Sequence, residues 1–414
     1  MSLPPAKTAA LFVIRMLRAH GHQALLAGGC VRDMLLGLES SDYDVATDAG
    51  PERVAEIFHR VLLLGARFGV AVVLYRKQQV EVATFRSDVS YSDGRRPDRV
   101  EFSNPREDAL RRDFTINGMF YDPQTDEVID YVGGKEDLAA GIVRTIGEPD
   151  RRFGEDYLRM LRAPRFAVRF DFRIDEQTAR AIRENAPKIA SISGERICDE
   201  LTKMLSADSA ARAAEQLEAL QLAPAILPEL FADRDLLWAR GLARLAVTAP
   251  QVDVVNNFAA LLAELPIRSI RRIARRWGMS NQLSEAICFC AAHLDQLSAA
   301  AGPMPLADLK RLLADTNFPH LQSLWRAAES VDTGRTTESG RLEMRIRQIP
   351  PETIDPPELI DGHELMEMGL KQGPRIGQIL RAVRDAQLNE QIEAPGQAID
   401  LARRLIDESS DSSA

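Results

Sequence analysis

At 414 residues the chain can form about two to four domains with real cores, and its composition is that of an ordinary globular protein. A net charge of −9 argues against a uniformly basic nucleic-acid coat, although a local basic stripe could still hold RNA. No run of about 18 apolar residues predicts a membrane span, Met1 to Lys7 has no signal-peptide pattern, and Cys30, Cys198, Cys288 and Cys290 show no disulfide or metal spacing. These features predict a reduced, cytoplasmic protein.

Thr8 to Ala19 has helical spacing, and Gln23 to Ala27 reads as a short buried strand. Gly28-Gly29-Cys30-Val31-Arg32-Asp33 follows, with a helix predicted over Val31 to Leu36. A strand feeding a glycine turn and a helix start presents free N–H groups to an anion. Arg32 can add a charged fork to the same phosphate. Asp42-Tyr43-Asp44-Val45-Ala46 then alternates like a strand, which puts Asp42 and Asp44 on one face, about 7 Å apart. Paired carboxylates repel unless a cation sits between them, and hard oxygen ligands suit Mg²⁺. Either feature alone is common; in this order, one short helix apart, they predict metal-assisted nucleotidyl transfer.

Pro51 opens a helix, and strands are predicted over Phe68 to Tyr75 and Val80 to Phe85. Glu81 is either a third carboxylate beside Asp42 and Asp44 or an edge-strand residue in water. Arg86 to Arg99 is polar, contains Gly and Pro, and reads as a mobile loop that either gates the site or is simply disordered. A helix over Glu107 to Tyr121 would carry Arg111, Arg112, Asp113 and Asn117. The two arginines would project about 100° apart, with Asp113 and Asn117 on a shared face. Such a face suits ribose and triphosphate contacts. Val128 to Tyr131 is a last strand, and Val143 to Ile146 extends the sheet. Gly134-Lys135 lacks the preceding residues of a P-loop.

Beyond Gly147 the chain reads as nearly all helical. Arg152 to Phe170 is a basic amphipathic helix with Glu155, Asp156, Arg159, Arg162 and Arg165. Asp175 caps the next helix, and Ser193 caps Glu195 to Leu205. Arg268, Arg271, Arg272, Arg275 and Arg276 form a basic run that either meets an RNA backbone or is a solvated helix face. Pro350-Pro351 and Pro356-Pro357 mark a linker, and disorder is expected from Ser409.

Gly28-Gly29-x-Val31-Arg32-Asp33 with Asp42-x-Asp44 resembles the first motif of class II tRNA nucleotidyltransferases and bacterial poly(A) polymerases. Arg111 to Asn117 resembles their second motif, and Asp130-Tyr131 with Gly133-Gly134 and Asp137-Leu138 the third. Glu155-Asp156-x-x-Arg159-x-x-Arg162-Ala163-x-Arg165-Phe166 resembles the fourth, and Ser193-x-Glu195-Arg196 with Glu200 the fifth. Two positions depart from the pattern: Gly118, with a helix-propensity cost of ~1 kcal/mol, and Pro164, which should kink its helix.

The resemblance implies an α/β, polymerase beta-like nucleotidyltransferase head (1–147) followed by an all-helical neck (148–206), body (207–349) and tail (350–408), with 409–414 disordered. It implies template-independent addition of CCA to tRNA 3′ ends from CTP and ATP, with Mg²⁺ on Asp42 and Asp44 and release of pyrophosphate. Poly(A) addition, addition of only CC or A, and a catalytically silent RNA-binding protein are the alternatives. Base choice follows from chemistry. An ionised Asp156 only accepts and Arg159 only donates, which suits the amino and ring-nitrogen edges of cytosine and adenine. Guanine and uracil reverse the order, each mismatch costing ~1–3 kcal/mol.

Overall fold

The computed structural model describes residues 4–65, 68–90, 99–300 and 304–411. The chain forms two compact units, Met1–Met204 with Arg212–Pro228, and Leu205–Ala211 with Glu229–Ala414.

The first unit is built on a mixed sheet. Its elements run α1 (Pro5–Ala19), β1 (Ala24–Ala27), α2 (Gly29–Leu35), β2 (Asp44–Thr47), α3 (Pro51–Ile57), β3 (Val61–Gly65), β4 (Val70–Tyr75), β5 (Gln78–Thr84), β6 (Arg86–Ser90), β7 (Arg99–Phe102), α4 (Pro105–Leu110), β8 (Phe120–Asp122) and β9 (Glu127–Ile129). Seven strands pair in the order β3-β4-β5-β2-β1-β8-β9. Of these pairings only β2 with β5 is parallel. All four residues of β1 are buried, as a central strand requires. Leu25, Ala27, Ala46, Phe85, Ala109 and Phe120 form one core cluster.

Pairing explains how the sheet builds a site. Ala27, the last residue of β1, lies opposite Asp44, the first of β2. The Gly28-Gly29 turn therefore leaves the sheet beside Asp44. On the other side Val45 pairs with Val82 in parallel, which brings Glu81 next to Asp44 one step earlier in register. Asp42 precedes the strand rather than lying in it.

After β9 come α5 (Gly134–Ala140), β10 (Ile142–Val143), α6 (Pro149–Glu155), α7 (Arg159–Phe170), β11 (Arg173–Ile174), α8 (Glu176–Asn185), α9 (Gly194–Leu205), α10 (Ala210–Ala219) and α11 (Leu222–Ile226). Asp175 caps α8 by accepting from the Thr178 N–H at 3.2 Å.

Several sequence expectations are corrected. The predicted helix over Glu107 to Tyr121 stops at Leu110; a 3₁₀ turn (Thr115–Asn117) and β8 replace its second half. The cause is long-range: Thr115 N–H donates to the Arg144 carbonyl and Ile146 N–H to the Asp113 carbonyl, bonds that a helix would have made locally. Val143 to Ile146 does not extend the large sheet; β10 pairs in parallel with β11. Arg152 to Phe170 is two helices, because Asp156 takes an extended conformation (φ −159°) and its Oδ1 accepts from Leu158 N–H. The helix α7 runs on through Pro164. Gly118 is not helical. A Cβ there would stand 2.6 Å from Val132 Cγ2, so packing rather than propensity explains the residue. The strand predicted from Phe68 begins at Val70, and a further strand, β3, forms the edge of the sheet. Arg86 to Ser90 and Arg99 are strand residues of an antiparallel pair rather than loop, while 91–98 lie outside the described residues. Helix continues past Ser409 to Asp411.

The second unit is helical: α12 (Ala239–Thr248), α13 (Val254–Leu262), α14 (Ile267–Trp277), α15 (Asn281–Ala300), α16 (Leu306–Ala314), α17 (Phe318–Thr333), α18 (Thr337–Arg347), α19 (Gly362–Glu367), α20 (Pro374–Leu388) and α21 (Pro395–Asp411). Ile270, Ile273, Ala274 and Trp277 bury one face of α14. Asp361 and Glu364 form a capping box that starts α19. The last three helices share a core that includes Leu365, Ile379, Val383 and Ala402.

Candidate active site

A cleft of about 640 Å³ opens within the first unit. Gly28, Gly29, Arg32, Asp42, Asp44, Glu81, Arg111, Arg112, Asp113, Asn117, Asp156, Arg159, Arg162 and Arg165 all line it. These are the residues that the sequence assigned to catalysis and nucleotide binding. Arg268, Arg271, Arg272, Arg275 and Arg276 lie on α14 in the other unit and are exposed.

Asp44 faces the cleft, yet protein crowds it. Lost hydration is the first cause that lifts its pKa, to about 6; Glu81 and Asp42 push the same way and Arg112 pulls back. Asp42 Oδ2 accepts from Ser41 Oγ at 2.9 Å. This corner therefore carries more negative charge than its arginines balance. Its donors are hard carboxylate oxygens, which fit a divalent cation. Among the described residues no group of three His, Cys, Asp or Glu side chains is placed to hold a metal. Two carboxylates completed by substrate phosphates is the pattern Mg²⁺ commonly takes.

The glycine turn is tightly made. Gly28 has φ +74°, and a Cβ there would lie 2.7 Å from Arg112 Nη1. The Arg32 guanidinium is only 4% exposed. Its Nε and Nη2 donate to Asp33 Oδ1 at 2.8 and 2.6 Å, and its Nη1 donates to Asn117 Oδ1 at 2.6 Å. It also lies over the rings of Phe166 and Phe170, 5.1 and 4.5 Å from their centroids.

Arg111 and Arg112 do not splay on a helix. Both converge on Asp108, with Nη2 contacts of 2.7 and 3.0 Å. Burial alone would raise the Asp108 pKa; the Arg112 and Arg111 charges more than reverse this and hold it low. Asp113 Oδ1 accepts from Phe114 N–H at 2.8 Å and from Asn117 Nδ2 at 3.1 Å, while Oδ2 lies 2.8 Å from Arg162 Nε as an ion pair without hydrogen-bond alignment. Burial pushes Asp113 up, and Arg162 and Asn117 bring it below the usual carboxylate range.

Asp156 and Arg159 do not lie on the one helix expected over Arg152 to Phe170, because the chain breaks at Asp156, but both line the cleft. Arg196 grips Asp156 through Nη2 at 2.7 Å. Glu155 Oε2 accepts from Arg159 Nη1 and Arg152 Nη1, each at 2.7 Å. Arg165 Nε donates to Glu200 Oε2 at 2.6 Å.

Sequence reasoning assigned no site role to the carboxylates that hold these arginines (Asp33, Asp108, Glu155, Glu200), nor to Arg169 and Arg196, which also line the cleft. Asp108 stands three and four residues before Arg111 and Arg112, a spacing that was available as a signal. The Arg196–Asp156 pair spans 40 residues and left no local sign.

Family models match three stretches: the poly A polymerase head domain over residues 24–144, the "Probable RNA and SrmB- binding site of polymerase A" over 171–233, and domain 2 of tRNA nucleotidyltransferases over 254–402. The CCA-adding enzyme of Geobacillus stearothermophilus is 34% identical over 402 residues, 94% of this chain and 95% of that one. The Geobacillus thermodenitrificans CCA-adding enzyme is 35% identical, over 94% and 95% of the two chains. The crystal structure of the Bacillus stearothermophilus CCA-adding enzyme in complex with CTP superposes with a TM-score of 0.79 at 30% identity, over 99% of this chain and 100% of that one. The Thermotoga maritima CCA-adding enzyme complexed with tRNA shares the fold, with a TM-score of 0.70 at 20% identity over 98% of this chain and 96% of that one. Nucleotidyltransferases of this kind generally use a divalent metal. Matched to such enzymes along nearly its whole length, at 34–35% identity, the chain belongs to the family of CCA-adding enzymes.

Proposed function

We propose that this chain is a nucleotidyltransferase that adds C, C and A to the 3′ end of tRNA, consuming CTP and ATP and releasing pyrophosphate. The observation that carries the reading is the single cleft that brings Asp42 and Asp44 together with Asp156 and Arg159.

Mg²⁺ is the divalent ion of this reading, held by Asp42 and Asp44; bound there it supplies charge neutralisation for the triphosphate and a lowered pKa for the attacking 3′-hydroxyl. Glu81 sits beside Asp44 and helps keep the corner negative. The Gly28-Gly29 turn, Arg32, Arg111, Arg112, Arg162 and Arg165 bind phosphate and ribose. Asp113 and Asn117 fix the orientation of Arg162 and Arg32. Asp156 accepts from the amino group of cytosine or adenine, and Arg159 donates to the neighbouring ring nitrogen. Arg196 and Glu155 hold these two side chains from behind, so both are oriented before a base arrives. Head (1–147), neck (148–206), body (207–349) and tail (350–408) divide the work, with α14 on the tRNA backbone. A cytoplasmic location suits four buried free thiols.

Primer extension on tRNA lacking its 3′ CCA, with Mg²⁺ and each nucleotide alone and combined, tests the reading. Addition of C, C and A followed by a stop is expected. Long A tails on varied RNAs would make it a poly(A) polymerase, addition of only CC or A a partial enzyme, and bound RNA without incorporation a silent binding protein.

A further inference from the structure

The arginines of the cleft are not equally occupied. Arg32, Arg111, Arg112, Arg159, Arg165 and Arg196 each donate a hydrogen bond to a carboxylate within 2.7 Å or, for Arg112, at 3.0 Å. Arg169 differs. Its side chain is 52% exposed, its guanidinium rests over the Phe170 ring, and its nearest carboxylate oxygen is Asp33 Oδ2 at 3.8 Å, beyond hydrogen-bond reach. Asp33 already serves Arg32 through its other oxygen. Two guanidiniums thus share Asp33, one oxygen to each. Arg32 Nη2 in turn lies 3.5 Å from where a Gly29 Cβ would be, so this pair of arginines adjoins the glycine turn.

Position along α7 identifies the occupant. Arg169 is ten residues beyond Arg159, about 15 Å along the helix axis. With the base held by Arg159, an extended nucleoside triphosphate reaches that far only with its terminal phosphates. We infer that Arg169 is a further binding residue for the β,γ-phosphate end of the incoming nucleotide, and for the pyrophosphate that leaves. This rests on the nucleotidyl-transfer reading above and adds a ligand to it. The guanidinium rests over the Phe170 ring and Arg169 lines the cleft, so its planar fork of donors is available for a bidentate phosphate contact.

The test uses the full chain and the variants Arg169→Ala and Arg169→Lys. Displacement of a fluorescent nucleotide, without tRNA, gives affinities for CTP, CMP and inorganic pyrophosphate. Loss of one charge-assisted contact should weaken CTP and pyrophosphate about tenfold in the alanine variant. CMP, which lacks the terminal phosphates, should be unaffected, and lysine should restore part of the loss. In primer extension the KM for CTP and ATP should rise while the KM for tRNA holds. Equal weakening of CMP and CTP would make Arg169 a structural residue and overturn the inference. So would unchanged CTP affinity with a raised tRNA KM, which would give Arg169 to the primer. If the parent chain binds CTP but adds no C, the proposed function fails while the binding comparison still decides the role of Arg169.

Discussion

Arginine does two different things in the two units. In the cleft, guanidiniums are anchored: Arg111 and Arg112 on Asp108, Arg159 on Glu155, Arg165 on Glu200, Arg196 on Asp156. On α14, Arg268, Arg271, Arg272 and Arg275 are exposed and have no carboxylate partner among the described residues, while Arg276 alone pairs with Glu229. Anchoring costs net charge, because every carboxylate cancels part of what a phosphate would feel. It gains orientation, which reading a base edge requires and which a backbone contact does not. The cleft should therefore fail sharply when one charge is removed, whereas α14 should weaken by degrees.

The largest effect belongs to Asp44. Asp44→Asn should lower the rate of C addition by about 10³-fold, the several kcal/mol that metal-assisted charge stabilisation provides, with CTP affinity changed far less. A variant of near-normal rate would remove Asp44 from the chemistry. Next comes Asp108, which is 1% exposed and has a depressed pKa in the folded chain. A depressed carboxylate stabilises the fold above its unfolded pKa of about 3.9, and that contribution disappears as pH falls through the lower folded value. Asp108→Asn should cost about 2 kcal/mol at pH 7, less than the ~3–5 of a fully buried pair, since Arg111 and Arg112 side chains are each still 19% exposed. Chemical denaturation of both chains from pH 7 downward should show the difference shrinking below pH 4. A constant difference would mean that shape, not charge, makes Asp108 important.

Glu155 probes orientation with little change of shape. Its Oε2 accepts from both Arg152 and Arg159. Glu155→Gln should reduce the preference for CTP over UTP about tenfold, through one weakened charged hydrogen bond. Single-nucleotide incorporation measures it, and unchanged preference would show that Arg159 needs no anchor. This contact also marks the limit of what the sequence disclosed. The first strand and the glycine turn were readable because their signals are local, a short apolar run and two glycines. The break at Asp156 was not, because that side chain is also held by Arg196, 40 residues away. The second motif misled for the same reason. The helix expected over Glu107 to Tyr121 gives way to a turn and a strand, from which Ile116 and Phe120 pack inward. Gly134 makes the point from the other side: a Cβ would stand 2.3 Å from the Thr115 carbonyl oxygen, a contact between two motifs that no local pattern announces.

The smallest effect is expected on α14. Arg271 and Arg275 stand one turn apart on its exposed face, and Arg275 Nε reaches only the Arg271 carbonyl, at 3.4 Å. With no partner to lose, replacing both by alanine should leave the melting temperature within about 1 °C, as surface changes of this kind do. If each neutralises one tRNA phosphate, the slope of log affinity against log salt should shrink by about 0.7–0.9 per residue removed. Affinity at physiological salt should fall about two- to fivefold, with CTP affinity unchanged because the nucleotide cleft lies in the other unit. The salt slope is the deciding readout: a backbone contact must flatten it, whereas a solvated helix face leaves it alone. A flattened slope with intact CTP binding would separate the two uses of arginine, orientation in the cleft and loose charge on the helix. An unchanged slope would leave α14 as a solubilising surface and move the search for the tRNA contact to the other basic faces of the helical unit.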